Sequence, residues 1–341
     1  CIDDSAVDAA KMEIPIRNSV KEINGMTAST PNLFFDAVNN IPTGELDFES
    51  LGLHELGHCT GLGHPNLGAQ PGVTGSDTNF TASGDGPLDA FSFDDGDDGI
   101  IGSSDDARDD DQNLHWFEKG VNNPFVETTT PEAITYSRDV AELPMSHDYP
   151  ANADRDVGVL LGFMDTEAVM QQGQGSDEEQ RLLQADDVTT YRMGMTGFDE
   201  IASTTDDYTI HMVYGGIRSD TSGCDIVVES ETGGFGVCSV GLSSSGGNHW
   251  WITSATFKYN SNLPWFFNTV LNTDCLAGDD TLSFSSETHS TTHFQEACTS
   301  ITYGPGYVVS ASGVVIATAP TITLGPGTTI EGTFTAFSAI P

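Results

Sequence analysis

The chain has 341 residues, 37% of them hydrophobic and 37 of them glycine, with 51 acidic residues against 11 Lys plus Arg for a formal net charge of −40. So negative a chain repels nucleic acid and anionic membrane surfaces, which excludes both as partners. No apolar run of about 20 residues is present, so nothing reads as a transmembrane helix, and the length suffices for one large domain plus a smaller one.

The chain opens on Cys1-Ile2-Asp3-Asp4 rather than on a basic and then apolar stretch, which reads as a processed or truncated end. Six cysteines fit an oxidising, extracellular compartment. Cys224 with Cys238 and Cys275 with Cys298 are the natural local pairs, each closing a short loop in a strand-rich region. Cys1 and Cys59 remain for a third bridge; the alternative is that Cys1 carries a lipid, as the first residue of a mature bacterial lipoprotein.

Residues 1–46 hold a short helix around Ile16–Ile23 and an extended stretch at Asn32–Ala37. From Asp47 to Thr60 the pattern is helical: Asp47 or Ser50 caps it, Leu51, Leu53 and Leu56 are apolar, and Gly61 marks its stop. This segment carries His54-Glu55-Leu56-Gly57-His58-Cys59-Thr60-Gly61-Leu62-Gly63-His64. Residues four apart share a helix face, so His54 and His58 point at one site. A sharp turn at Gly61 then brings His64 round as a third ligand. Three protein ligands leave one coordination position open, as in catalytic rather than structural zinc sites. Glu55 stays close without ligating, placed as a general base.

Residues 66–156 form a Gly/Asp-rich acidic insertion. Within it, Asp94, Asp98 and Asp105 fall at positions 1, 5 and 12 of a calcium loop, although Gly96 stands at position 3 and position 12 has Asp instead of the longer Glu. A calcium site and a merely solvated acidic loop are both open readings. Val157–Met164 is apolar, Ala168–Gly173 follows, and Ser176–Met193 reads as a helix with Ser176 and Glu179 at capping-box spacing. Beyond residue 206, Tyr208–Tyr214, Asp225–Glu229, His249–Tyr259 and Pro264–Phe267 are strand candidates. The aromatic groups at 249–251, 265–267 and 115–117 read as core packing, and His289 with His293 as a loop. Ile301-Thr302-Tyr303-Gly304-Pro305-Gly306 returns 21 residues later as Ile322-Thr323-Leu324-Gly325-Pro326-Gly327, which predicts stacked strands in a small β-sandwich or β-roll.

The segment 54–64 resembles the zinc signature of the metzincins, a clan of zinc endopeptidases that includes matrixins, serralysins and astacins. The resemblance implies Zn2+ on His54, His58 and His64, Glu55 as the base, and a Met-containing turn beneath the metal. Met170 is the best match for that turn, ahead of Met164 and Met145. Three departures stand out. There are 105 residues between His64 and Met170, no Tyr follows Met170, and only 53 residues precede His54, short for the sheet that the family packs against this helix. Either upstream sequence was removed or strands from Tyr208 to Phe267 complete the sheet.

The expected fold is α+β, a metzincin-like domain over 1–270 followed by a small all-β module over 271–341. The implied activity is hydrolysis of protein or peptide substrates by a secreted or cell-surface enzyme. A rival reading is a surface assembly or adhesion protein that keeps the same scaffold and self-associates.

Overall fold

A computed structural model describes residues 1–34, 38–64, 173–244, 250–272 and 281–337, the last with breaks at 287, 290–291, 297–299, 313 and 319–320. Between 65 and 172 it describes 82–83, 93–94, 107–108, 116–120, 125, 130–137, 162, 164 and 166–171. The chain enters through β1 (Ile2–Asp3) and α1 (Ala9–Gly25). The helix is longer than the 16–23 segment expected because Met12, one turn before Ile16, extends the same buried face. Then β2 (Leu46–Asp47) leads into α2 (Phe48–Cys59), the helix that bears the histidines. Of the two caps considered, Asp47 takes the role, accepting from the Ser50 N–H at 3.1 Å.

Asp47 is also what anchors a distant strap. Fully buried, it accepts from Arg181 Nε at 2.8 Å and Nη2 at 2.9 Å, a bidentate charge-assisted pair. Beside it, Gln174 Nε2 donates to the Asp47 carbonyl and the Gln180 N–H donates to Ser50 Oγ. The strap explains why the helix expected over 176–193 begins only at α3 (Ala185–Met195). Backbone N–H groups of Glu179, Leu182 and Leu183 go to Leu33 O, Asn32 Oδ1 and Glu22 Oε1, so they are unavailable to a helix. The N-terminal box sits instead at Gln184, whose N–H donates to Asp187 at 2.9 Å.

The sheet under the histidine helix combines β1 with β3 (Ile217–Arg218), β4 (Ile226–Glu231), β5 (Gly236–Ser244) and β6 (Trp250–Asn260), in the order β5-β6-β4-β1-β3. Only the β5–β6 pair is antiparallel. Phe48 and Leu51 of α2 pack with Ile2, Val228, Phe257 and Tyr259 in one buried cluster. Strands downstream of the histidines, between 217 and 260, complete the sheet, and among the described residues β1 is its one strand from ahead of them. A short β7 (Trp265–Phe266) pairs in parallel with β2, and Trp265 and Phe267 pack their rings on Phe48, as core residues. The stretch Tyr208–Tyr214 is not a strand: its Ile210 and Met212 N–H groups bond Met195 Sδ and Asn24 Oδ1 rather than a ladder.

Strand order corrects the disulfide pairing. Cys224 and Cys238 do not bridge each other, and Cys1 does not bridge Cys59: the bonds are Cys1–Cys224 and Cys59–Cys238. Cys238 lies on β5 and Cys224 just ahead of β4, with β6 between them, so two strand spacings of about 4.8 Å hold them beyond disulfide reach. Cys275 and Cys298 lie outside the described residues.

At the end of this part Asn272 is tied to α1, its N–H donating to Asn18 Oδ1 and its carbonyl accepting from Lys21 Nζ. The C-terminal part is a three-sided parallel solenoid rather than a sandwich. Its first coil holds β8 (Thr281–Phe284), β9 (Thr288–His289) and β10 (Thr292–Glu296), and the second holds β11 (Ser300–Tyr303), β12 (Val308–Val309) and β13 (Val314–Thr318). The third holds β14 (Thr321–Leu324), β15 (Thr329–Ile330) and β16 (Thr333–Phe337). Each strand pairs in parallel with its equivalent one coil away, Ser300 opposite Thr321, so the 21-residue repeat is one coil. Ile301, Tyr303, Tyr307, Val309 and Val315 fill the interior. His289 and His293 stand on different strands of the first coil. The calcium assignment to Asp94, Asp98 and Asp105 lies outside the described residues, apart from the backbone of Asp94, which pairs with Ala107.

Two buried carboxyls make the fold pH-sensitive. Burial pushes Glu22 and Glu49 each up to about 7, against the Leu183 N–H on the first and Arg181 on the second. Their folded values exceed the unfolded one, so this contribution to stability is fully present below pH 4.5 and is lost as pH rises through about 7. For such a shift the loss is about 3 kcal/mol per group. Glu49→Gln mimics the protonated form and keeps an acceptor for Asn18 and Asn268. Urea titrations at pH 5 and pH 8 are expected to show a smaller fall in stability for this variant than for wild type; equal falls would contradict the assignment.

Candidate metal centre

One helical turn separates His54 from His58 on α2, and the chain reverses through Gly61 at φ +107° to return His64 to the same place. His54 Nδ1 lies 2.7 Å from the Val169 carbonyl and His58 Nδ1 lies 2.8 Å from the Leu62 carbonyl. A carbonyl only accepts, so in both rings Nδ1 carries the proton and Nε2 keeps its lone pair. The three Nε2 atoms stand 3.1 Å apart pairwise. Lone pairs facing one another at that distance repel unless a cation lies between them. A tetrahedral ion with metal–nitrogen bonds of about 2.0–2.1 Å spaces its ligands by about 3.3 Å, close to the spacing here. His54, His58 and His64 therefore form a cluster that can hold a metal ion. Burial, then the neighbouring His58 and His64, keep His54 well below the ordinary histidine value, hence neutral and able to ligate.

Met170 packs on α2 at Gly57, which lies between His54 and His58 in sequence, and is fully buried in a turn closed by the Gln171 N–H on Ala168 O. Its Sδ stands 2.4 Å from where a Cβ on Gly57 would lie, so the helix approaches the turn this closely only without a side chain there. Asp187 fastens the turn, accepting from the N–H groups of Val169 at 3.0 Å and Met170 at 3.1 Å as well as from Gln184. A chain of contacts thus runs from the start of α3 through the turn to His54. Met164, the runner-up, is exposed, and Met145 lies outside the described residues. The sequence marks Asp187 only as part of an acidic helix start downstream of Met170, and it gives the Val169 carbonyl no role.

Glu55 is buried and lines the same cleft as the imidazoles, and among the described residues its Oε2 has no hydrogen-bond partner. Burial pushes its carboxyl up to about 8, against the backbone N–H of Cys238, which draws it down. The cluster opens on a cleft of about 1530 Å³ lined by His54, Glu55, His58 and His64, with Leu242 and Trp251 exposed on its wall. A Lewis acid held by neutral nitrogens beside a carboxyl oxygen free to take a proton is an arrangement suited to activating water.

Comparison of the chain with protein-family models, with curated proteins and with solved structures gives no match.

Metal titration monitored by calorimetry is expected to give one tight site per chain, lost in His54→Ala. Asp187→Ala, which removes no ligand, is expected to weaken binding about 10–100-fold by loosening the turn that orients His54. Unchanged affinity in that variant would contradict the linkage.

Proposed function

We propose that the chain is a secreted zinc endopeptidase of the metzincin type, and the convergence of three histidine Nε2 atoms beside the buried Glu55 carries this reading. Imidazole donors in a three-ligand set suit zinc among common metals. When bound, zinc supplies Lewis acidity toward the scissile carbonyl and toward water. Glu55 takes the proton from the attacking water and returns it to the leaving amine. Met170 and its turn then form the floor of the centre, in the position the family gives its methionine.

The sheet supports a polypeptide substrate. Among the described residues β5 is an edge strand paired only with β6, and it runs beside Glu55. An extended peptide adding to that edge over the stretch after Cys238 would lie along the cleft with its backbone presented to the centre. The two disulfides fit an extracellular location, and no described helix is long and apolar enough to cross a membrane. The solenoid favours a second reading, a surface-assembly protein, because its coils stack through parallel strand pairing, a mode of contact that also suits association between chains.

Casein cleavage by the zinc-loaded chain tests the first reading. Cleavage is expected to vanish with a chelator, and Glu55→Ala is expected to lower kcat by on the order of 10²–10⁴ while still binding zinc. Metal-independent self-association without cleavage by folded, zinc-loaded wild type would favour the second.

A further inference from the structure

Cys59 directly follows His58 and ends α2, and its disulfide partner Cys238 sits on the edge strand β5, with Cα atoms 5.5 Å apart. The segment between Gly236 and Cys238 lies against Glu55. A Cβ on Gly236 would stand 2.7 Å from Glu55 Oε1 and 2.5 Å from Leu51 Cδ1, and the Cys238 N–H donates to the Glu55 carboxylate. Among the described residues, ladder hydrogen bonds hold β5 on one side only, through β6, and such edges open locally at low cost. On its other side the covalent tie to α2 is the Cys59–Cys238 bond. None of the three histidines, and neither carbonyl that fixes their tautomers, belongs to β5.

We propose that the Cys59–Cys238 disulfide positions Glu55: by pinning β5 to the end of α2 it keeps the Gly236–Cys238 backbone on the carboxylate, and breaking it releases the base while the metal stays bound. Cys59 and Cys238 are thus positioning residues, acting through Glu55, and the inference rests on the reading of Glu55 as general base. Breaking the bond requires an external dithiol. One of its thiolates attacks a bridge sulfur, and the resulting mixed disulfide is resolved by the second thiol. Two electrons and two protons pass to Cys59 and Cys238, which become thiols, and the reagent leaves as a cyclic disulfide.

The test compares wild type, Cys59→Ala/Cys238→Ala, Glu55→Ala and the triple variant, all zinc-loaded, by two readouts. In the first, a fluorogenic peptide is expected to show bridge removal lowering kcat/KM at least about tenfold in the wild-type background, but no more than about twofold where Glu55 is already absent. Zinc content is expected to remain at one per chain. Equal losses in both backgrounds would overturn the proposal, since the bridge would then serve the fold or the substrate edge and not the base. The second readout, amide exchange by NMR, needs no activity. The amide of residue 238 is expected to exchange at least about tenfold faster in Glu55→Ala and in the bridge-free variant, with the β5 amides bonded to β6 unchanged in Glu55→Ala. An unchanged rate at 238 in Glu55→Ala would overturn the proposal. Absence of cleavage by every variant would count against the peptidase reading, and exchange at 238 would then decide the contact alone. If the bridge-free variant fails to fold, dithiol reduction of folded, zinc-loaded wild type and Glu55→Ala, with the thiols then alkylated and zinc content measured, takes its place. The same loss of kcat/KM confined to the Glu55 background is expected, and equal losses in both would overturn the proposal.

Discussion

Two backbone carbonyl oxygens, those of Leu62 and Val169, decide what the histidine cluster can do. Each takes the Nδ1 proton of one imidazole and thereby leaves the Nε2 lone pair of that ring aimed at its neighbours 3.1 Å away. A flipped ring or the other tautomer would put a proton in the middle of the site and abolish its attraction for a cation. The Leu62 oxygen comes from the turn that follows α2 and is local. The Val169 oxygen comes from more than a hundred residues away and is only as well placed as the turn that carries it. That turn hangs on Asp187, and the strap leading to Asp187 is anchored through Arg181 on Asp47, the cap of the same helix that bears the histidines. The arrangement is a closed circuit in which α2 is fixed at its start by the segment that orients a ligand in its middle.

The sheet supplies the other wall. Its strands follow the histidines in the chain, with β1 alone ahead of them among the described residues, and β1 is inserted between β3 and β4. The two disulfides fall at the points where this order needs fastening: Cys1 beside the start of β4, and the end of α2 to the edge strand. Both join residues far apart in sequence, which constrains the unfolded chain strongly. An acidic chain whose carboxyls repel one another gains from such cross-links when its apolar content is modest.

Much of the site was legible in residues 47–64 because helix periodicity, a cap, two histidines at i and i+4 and a glycine stop all act over a few residues. Met170 was legible through the resemblance alone, and the structure adds the contact with Gly57 that gives its burial a reason. The roles of Asp187, Leu62 and Cys238 were not legible, since they depend on where distant backbone arrives. Local reasoning also misled where it competed with tertiary partners. Ser176 and Glu179 have the spacing of a helix start, yet the segment's N–H groups go to Leu33, Asn32 and Glu22. Cys224 and Cys238 are near in sequence, but a third strand separates them. Strand β5, rich in Gly and Ser with few β-branched residues, gave no strand signal at all, and it is held by its pairing with β6. In the repeat, alternation announced strands without saying whether they would stack in parallel coils or face one another across a sandwich.

X-ray absorption at the zinc edge of the loaded protein reads the ligand set itself. Three imidazole nitrogens and one further light atom are expected at about 2.0–2.1 Å, with the imidazole signature falling to two in His64→Ala. A first shell containing sulfur, or an imidazole count that does not change in that variant, would contradict a three-histidine centre.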